Sequence, residues 1–149
     1  MTGRKISHIL FFVLCLTLVA CVNPYKDLQE ARQKGLDKLT KHIEEQKQAY
    51  LACLDAQIPK AYQPDEQLAE LADKAVQTCD SYVFALADLE REVVLDTTVW
   101  GSRYENDIQR QLGFDLAEAR ANRSRDQYLQ SYRIYGVSYY LKQARNQKK

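Results

Sequence analysis

From Leu68 to Val93 the chain repeats one device. Leu68, Ala72, Ala75, Cys79, Tyr82, Leu86, Leu89 and Val93 are apolar or small and follow one another at steps of four and three. Such steps line one face of an α-helix, whereas a half-buried strand alternates every second residue. A stripe this long needs a partner surface to leave water. It therefore predicts a helix of roughly 30 residues that packs on others with coiled-coil-like geometry. Pro64 suits the start of that helix, with Asp65 and Glu66 in the first turn, where acids complement the helix dipole.

A second, weaker stripe precedes it. Leu36, Leu39, Ile43, Gln46, Tyr50, Cys53 and Gln57 recur at the same steps within a segment running from about Tyr25 to Gln57. Leu28 and Ala31 continue the face upstream, and Gly35 is a soft spot. The two segments are joined by Ile58-Pro59-Lys60-Ala61-Tyr62-Gln63-Pro64, a loop by its prolines. Downstream, Asp96-Thr97-Thr98-Val99-Trp100-Gly101 reads as a second connection. Ser102 has capping-box spacing to Glu105 and is the expected N-cap of a third helix. Ile108, Leu112, Leu116 and Ala119 form that helix's apolar face. The polar run Ala121–Asp126, with Gly113 and Gly136, predicts that it bends or divides. The expected fold class is all-α: three long helices, as an antiparallel bundle or as a hairpin plus a third, broken helix.

The beginning of the chain has a different character. Arg4 and Lys5 precede 14 residues, Ile9 to Val22, that are apolar except for Thr17. That run is too short to span a bilayer as a helix, which takes about 20 residues. A basic start followed by a short apolar core is the layout of a secretory signal. Its end, Leu18-Val19-Ala20-Cys21, resembles the lipobox of bacterial lipoproteins; Leu18 is too bulky for an ordinary signal-peptidase site.

The resemblance covers about the first 22 residues. It implies cleavage before Cys21 and acylation of that cysteine, and two or three acyl chains make a stable anchor. It also implies an envelope address. Val22, where an Asp would favour the inner membrane, points to the outer membrane with the domain facing the periplasm. The implied organisation is a signal peptide at 1–20, a lipidated N-terminus and short tether at 21–24, an α-helical periplasmic domain at 25–146 and a basic tail at 147–149.

With Cys15 in the removed signal and Cys21 given to lipid, Cys53 and Cys79 remain. In an oxidising periplasm two such cysteines are most simply a disulfide. Metal binding is the rival, but it needs further ligands, and His42 is the one histidine of the mature chain. Both cysteines fall on the apolar stripes, which favours the pairing. The bridge would also constrain the hairpin. Cys79 lies about 22 Å into the second helix at 1.5 Å per residue, and Cys53 about one turn from the end of the first. The intervening loop must therefore run alongside the second helix.

Cleavage leaves 129 of 149 residues, with 19 basic and 20 acidic side chains. That size allows one domain with its own core, and near-neutrality argues against a nucleic-acid binder. Charge is unevenly placed: from Arg120 onward there are 8 basic residues and one acid, Asp126. Tyr128, Tyr132, Tyr135 and Tyr139 share one helical face there, with Tyr140 beside them and Arg133 and Lys142 interspersed. This is the candidate partner surface, whose rival reading is packing on the other helices. The sequence has no nucleophile elbow, phosphate loop or histidine cluster, so neither catalysis nor a cofactor or metal is expected. His42 reads as a boundary residue.

The expected function is that of a membrane-anchored periplasmic lipoprotein serving as a binding or scaffold accessory of the envelope. Its partners would be the bilayer, through acylated Cys21, and an envelope protein. The alternative is a structural link to peptidoglycan. It rests on Lys148-Lys149, which resembles the terminus of the small outer-membrane lipoprotein of enteric bacteria, joined to peptidoglycan through its last lysine.

Overall fold

The computed structural model describes residues 24–60, 63–100 and 106–146. The signal peptide, the lipobox with Cys21, the Ser102–Glu105 capping box and Lys148-Lys149 lie outside those residues. The described chain is all-helical: α1 (Pro24–Ala56), α2 (Asp65–Thr78), α3 (Asp80–Trp100) and α4 (Asp107–Asn146). Two compact units meet inside α1, one ending at Gly35 and the other beginning at Leu36. The first contributes exposed helical turns with a Lys26–Glu30 ion pair at 3.9 Å. Leu28 and Ala31, expected to extend the apolar face, are exposed.

The long stripe behaves as its spacing requires. All eight of its residues are buried or half-buried, and Ala72, Cys79 and Leu86 are wholly so. The helix is nevertheless interrupted, so the expected single rod is two. At Cys79 the backbone opens to φ −95°, ψ 10°, while its N–H still bonds Ala75 O at 3.0 Å. A change of ψ at one residue barely moves the side-chain period, so a stripe does not register it. Pro64 stands just outside α2 in extended conformation, and its carbonyl accepts the N–H groups of Gln67 and Leu68.

The expected connection at Asp96 is instead the last turn of α3, which reaches Trp100. Thr97 and Thr98 donate their hydroxyls back to the carbonyls of Val93 and Val94 at 2.9 and 2.7 Å. That local bond is how threonine stays helical despite its branched Cβ. α4 begins at Asp107, capped by Asn106, whose Oδ1 accepts the N–H of Gln109 at 2.9 Å. Ser102 is thus four residues upstream of the observed cap. Nor does α4 divide: it is one helix of 40 residues.

Cross-helix pairs fix the topology. Asp80 pairs with Arg133, Asp88 with Arg125 and Arg91 with Asn122, so 11 residues forward on α3 match 11 backward on α4. Tyr50, Asp55 and Gln57 of the first rod meet Tyr132, Tyr139 and Tyr140 in the same direction. α1 and α4 are therefore parallel, with α2 and α3 running between them in the opposite sense. This is an antiparallel bundle of three rods, the middle one in two pieces.

Cys53 and Cys79 are bonded, with Cα atoms 6.0 Å apart. The offset of Cys79 into the second rod is filled as the bridge requires: Ile58 of the loop packs against the core, and Gln57 O accepts the Tyr140 hydroxyl at 3.2 Å. The core runs through Tyr50, Leu54, Leu68, Val83, Leu86 and Tyr140. Gly136 is what admits Tyr50. A Cβ at 136 would lie 2.9 Å from Tyr50 Cζ and 3.0 Å from Val76 Cγ2, and would overlap the phenol oxygen. The missing side chain lets the Tyr50 ring reach the α4 backbone, where its hydroxyl donates to Tyr132 O at 3.2 Å. By sequence Gly136 is a weak point of the helix; in the structure it is a close-packing point.

The third expected apolar face is reversed. Ile108, Leu112 and Leu116 are 75%, 56% and 70% exposed, and Ala119 is exposed as well. Ala117 and Ala121, both fully buried, face inward instead. The inward side of this half of α4 is made of small residues, so it is invisible to a search for large apolar side chains.

Candidate functional site

The tyrosines of α4 do not act as one surface. Tyr140 is fully buried, Tyr128, Tyr132 and Tyr139 are half-buried against the core, and Tyr135 is 51% exposed. Three of them, Tyr128, Tyr132 and Tyr135, line a groove of about 600 Å3 together with Glu44, Lys47, Gln48 and Leu51 of α1 and Glu90 of α3. Parallel alignment of α1 with α4 makes the groove. It sets residues 44–51 beside 128–135, and Glu90 comes in from the antiparallel rod between them.

Polar bonds hold the aromatic wall in place. Tyr132 donates its hydroxyl to Glu90 Oε1 at 2.8 Å, and Tyr139 donates to the Asp55 carboxylate at 3.0 Å. Gln48 Nε2 donates to Glu44 Oε1 at 2.9 Å. Tyr128 and Tyr132 stack with ring centroids 6.3 Å apart, and Tyr135 and Tyr139 lie at the same separation, tilted. Offset rings at this distance attract each other and stiffen the wall.

Every shift among these phenols runs upward. Tyr50 is pushed up to about 12, first by burial and then by the charge of Asp80, with Arg133 pulling the other way. Tyr132 is raised by burial and then by its bond to Glu90. Burial also raises Tyr128, Tyr139 and Tyr140. Phenols held in the neutral form serve poorly as bases or nucleophiles near pH 7. What the groove offers is aromatic faces between two carboxylates, with Lys47 at the rim.

Arg133 and Lys142, grouped with the tyrosines by sequence, are not brought to this groove. Arg133 turns to the other side of α4, where its Nε and Nη2 donate to the two Asp80 oxygens at 2.9 and 2.7 Å. Its guanidinium also lies 5.5 Å from the centroid of Phe84, and that of Arg125 lies 5.9 Å away. Lys142 is an exposed residue about two turns beyond the groove. Sequence reasoning missed the contribution of α1 and α3. Glu44 and Glu90 carry no local signal, and only the register brings them to the tyrosines.

A second cavity of about 650 Å3 is lined by His42, Asp88, Arg91, Glu92, Asn122, Arg125 and Asp126 among others. Its polar groups are engaged with one another. Arg91 donates to Asn122 Oδ1 at 2.6 Å, to Glu92 at 2.8 Å and to Glu118 at 3.4 Å, and Arg125 donates to Asp88. His42 is exposed at its edge. Among the described residues no three histidine, cysteine or acidic side chains are placed to hold a metal ion, and no helix is long and apolar enough to cross a membrane. No family model, curated protein or solved structure matches the chain.

Proposed function

We propose that the mature chain is a lipid-anchored, periplasm-facing accessory protein of the outer membrane that binds an envelope protein through the tyrosine groove. The observation that carries the reading is the composition of that groove. Three phenols, two of them stacked and raised in pKa by burial, stand between Glu44 and Glu90, with Tyr135 open to water. Such a wall suits a protein segment that lays an arginine or lysine over the rings, where cation–π attraction and the carboxylates act together. The Cys53–Cys79 bond supports an exported address, because disulfides persist in oxidising compartments. In this reading the groove binds and does not catalyse. The anchor is Cys21, in the lipobox-like Leu18-Val19-Ala20-Cys21.

Retrieval of the lipidated protein from detergent-solubilised envelopes tests the groove. One protein recovered in stoichiometric amount with the native chain, and lost with Tyr135→Ala while the fold is retained, is the expected result. Equal recovery with both chains would remove the groove from the account. Retention of the chain on purified peptidoglycan sacculi, unaffected by Tyr135→Ala and abolished by deleting Lys148-Lys149, would favour the structural link instead.

A further inference from the structure

Exposed large apolar residues concentrate at one end of the bundle. Trp100 closes α3, and Ile108, Leu112, Phe114 and Leu116 follow in the first turns of α4; all five are exposed. The antiparallel register that pairs Arg91 with Asn122 brings Trp100 level with residue 113, so the five share one tip. They do not share one face. Ile108, Leu112 and Leu116 follow each other at steps of four along one side. Phe114, three and seven residues before the buried Ala117 and Ala121, heads the inward stripe of α4 at about 100° per residue and is 44% exposed where that stripe runs out at the end of the bundle. A partner helix covers one stripe, and a second copy of this chain would do the same. A surface that wets the tip from several sides covers all of it.

The path of the chain says which surface is in reach. His42 lines the same cavity as Asn122 and Asp126. Since α1 and α4 run in parallel, Leu36, six residues earlier, is level with about residue 116. The polypeptide therefore enters this unit at the apolar tip, and Cys21 is 15 residues upstream of Leu36. From Pro24 onward these residues are helical at 1.5 Å each, so the segment spans at most about 30 Å. On the reading of Cys21 as the lipidated residue, on which this inference rests, the tip is tethered to the bilayer at the end where its apolar side chains are exposed. We infer that the end of the bundle formed by Trp100, Ile108, Leu112, Phe114 and Leu116 is a membrane-contact site for the lipid headgroup–acyl boundary, and that it sets the bundle's orientation on the membrane. Tryptophan and leucine are the side chains such a boundary takes up. Alone the patch is too small to hold a protein to a bilayer, but a tether supplies the high local concentration that a weak contact needs.

Trp100 is the only tryptophan in the chain, so its emission reports on the tip directly. Produced from Cys21 onward without acylation, and with Cys53 bonded to Cys79, the chain carries one free thiol, Cys21, which can be coupled to a maleimide lipid in phosphatidylethanolamine–phosphatidylglycerol vesicles. The expected result is a blue shift of Trp100 emission on tethering and strong quenching by brominated acyl chains. Both should fall to the level of the untethered protein in the Leu112→Gln, Leu116→Gln double variant with unchanged helical circular dichroism. Absence of quenching in the tethered native chain overturns the inference. So does a blue shift that depends on protein density and survives in vesicles without brominated lipid quenching, the outcome for a second copy seated on the tip. Mass spectrometry of the native N-terminus tests the anchor separately. Unmodified Cys21 removes the tether, whereas unquenched Trp100 with the tether chemically in place removes the contact.

Discussion

The two halves of α4 are one helix used in opposite ways. From Tyr128 to Ala144 its inward face is aromatic. Tyr132, Tyr139 and Tyr140 reach across to Glu90, Asp55 and Gln57, and Gly136 makes room for the Tyr50 ring coming the other way. From Asp107 to Ala121 the buried face is Ala117 and Ala121, and Ile108, Leu112 and Leu116 point to water. The difference teaches that hydrophobicity and burial are separable along a single helix. Where rods approach closely, small residues form the seam; where they stand apart, long side chains with polar ends bridge the gap and satisfy their own hydroxyls. The apolar residues left outside at one end then need another explanation, which the membrane contact supplies.

The comparison breaks most visibly at Gly136. Gly136→Ala should destabilise the domain by about 2–3 kcal/mol, because the new methyl overlaps the Tyr50 phenol and crowds Val76, so the buried ring must leave its seat and its bond to Tyr132 O. Urea titration followed by circular dichroism measures it. The double variant Gly136→Ala, Tyr50→Leu should recover part of the loss, since the clash partner is then shorter and loses its hydroxyl. A Gly136→Ala chain as stable as the native one would mean that α1 and α4 do not approach as described.

The seam of the other half sharpens the same contrast. Ala121→Leu places three extra heavy atoms where the native side chain is fully buried. It should cost on the order of 1–3 kcal/mol by overpacking. Ala119→Leu, two residues away on the exposed side, should be neutral within about 0.5 kcal/mol. Equal effects at the two alanines would erase the distinction between seam and outer face.

The aromatic half should also respond to pH. Tyr50 loses its proton less readily folded, at about 12, than unfolded, near 10. A group whose pKa is raised by folding contributes stability that is fully present below the unfolded value and is lost as pH climbs through the folded one. Stability should therefore fall between about pH 10 and pH 12, and the raised Tyr132 adds to the fall. Tyr50→Phe should reduce the slope, as seen in urea midpoints across that range. A slope unchanged by the substitution would place the phenol in water.

How much of this was legible in the sequence follows the same division. The eight-residue stripe from Leu68 to Val93 announced its burial because each step carries an apolar or small side chain on one face. The Cys53–Cys79 bond followed from assigning the other two cysteines, and the bridging loop from the bond. In α4 the apolar period is carried by Ile108, Leu112 and Leu116 because they are large, yet the buried face is written in alanine, which carries almost no signal on its own. The break at Cys79 is a one-residue change in backbone angle, and α3 outran its expected end because Thr97 and Thr98 bond within the helix. The tyrosine groove was half visible: its aromatic wall is local, but Glu44 and Glu90 join it only through the register of three rods.

The smallest expected effect bears most directly on the outer face. Leu112→Gln replaces a side chain that is 56% exposed, in a turn whose inward side is formed by other residues. Little apolar area leaves the core with it, so stability should change by no more than about 0.5 kcal/mol. The same holds for Leu116→Gln, at 70% exposure. Thermal melts of the chain without lipid check this, and a loss of about 2 kcal/mol or more at either position would make the stripe part of the fold. Near-zero is also what gives the vesicle measurement its meaning. A leucine that does nothing for the bundle in water, yet governs how deeply Trp100 sits at a bilayer, is there for the surface and not for the core.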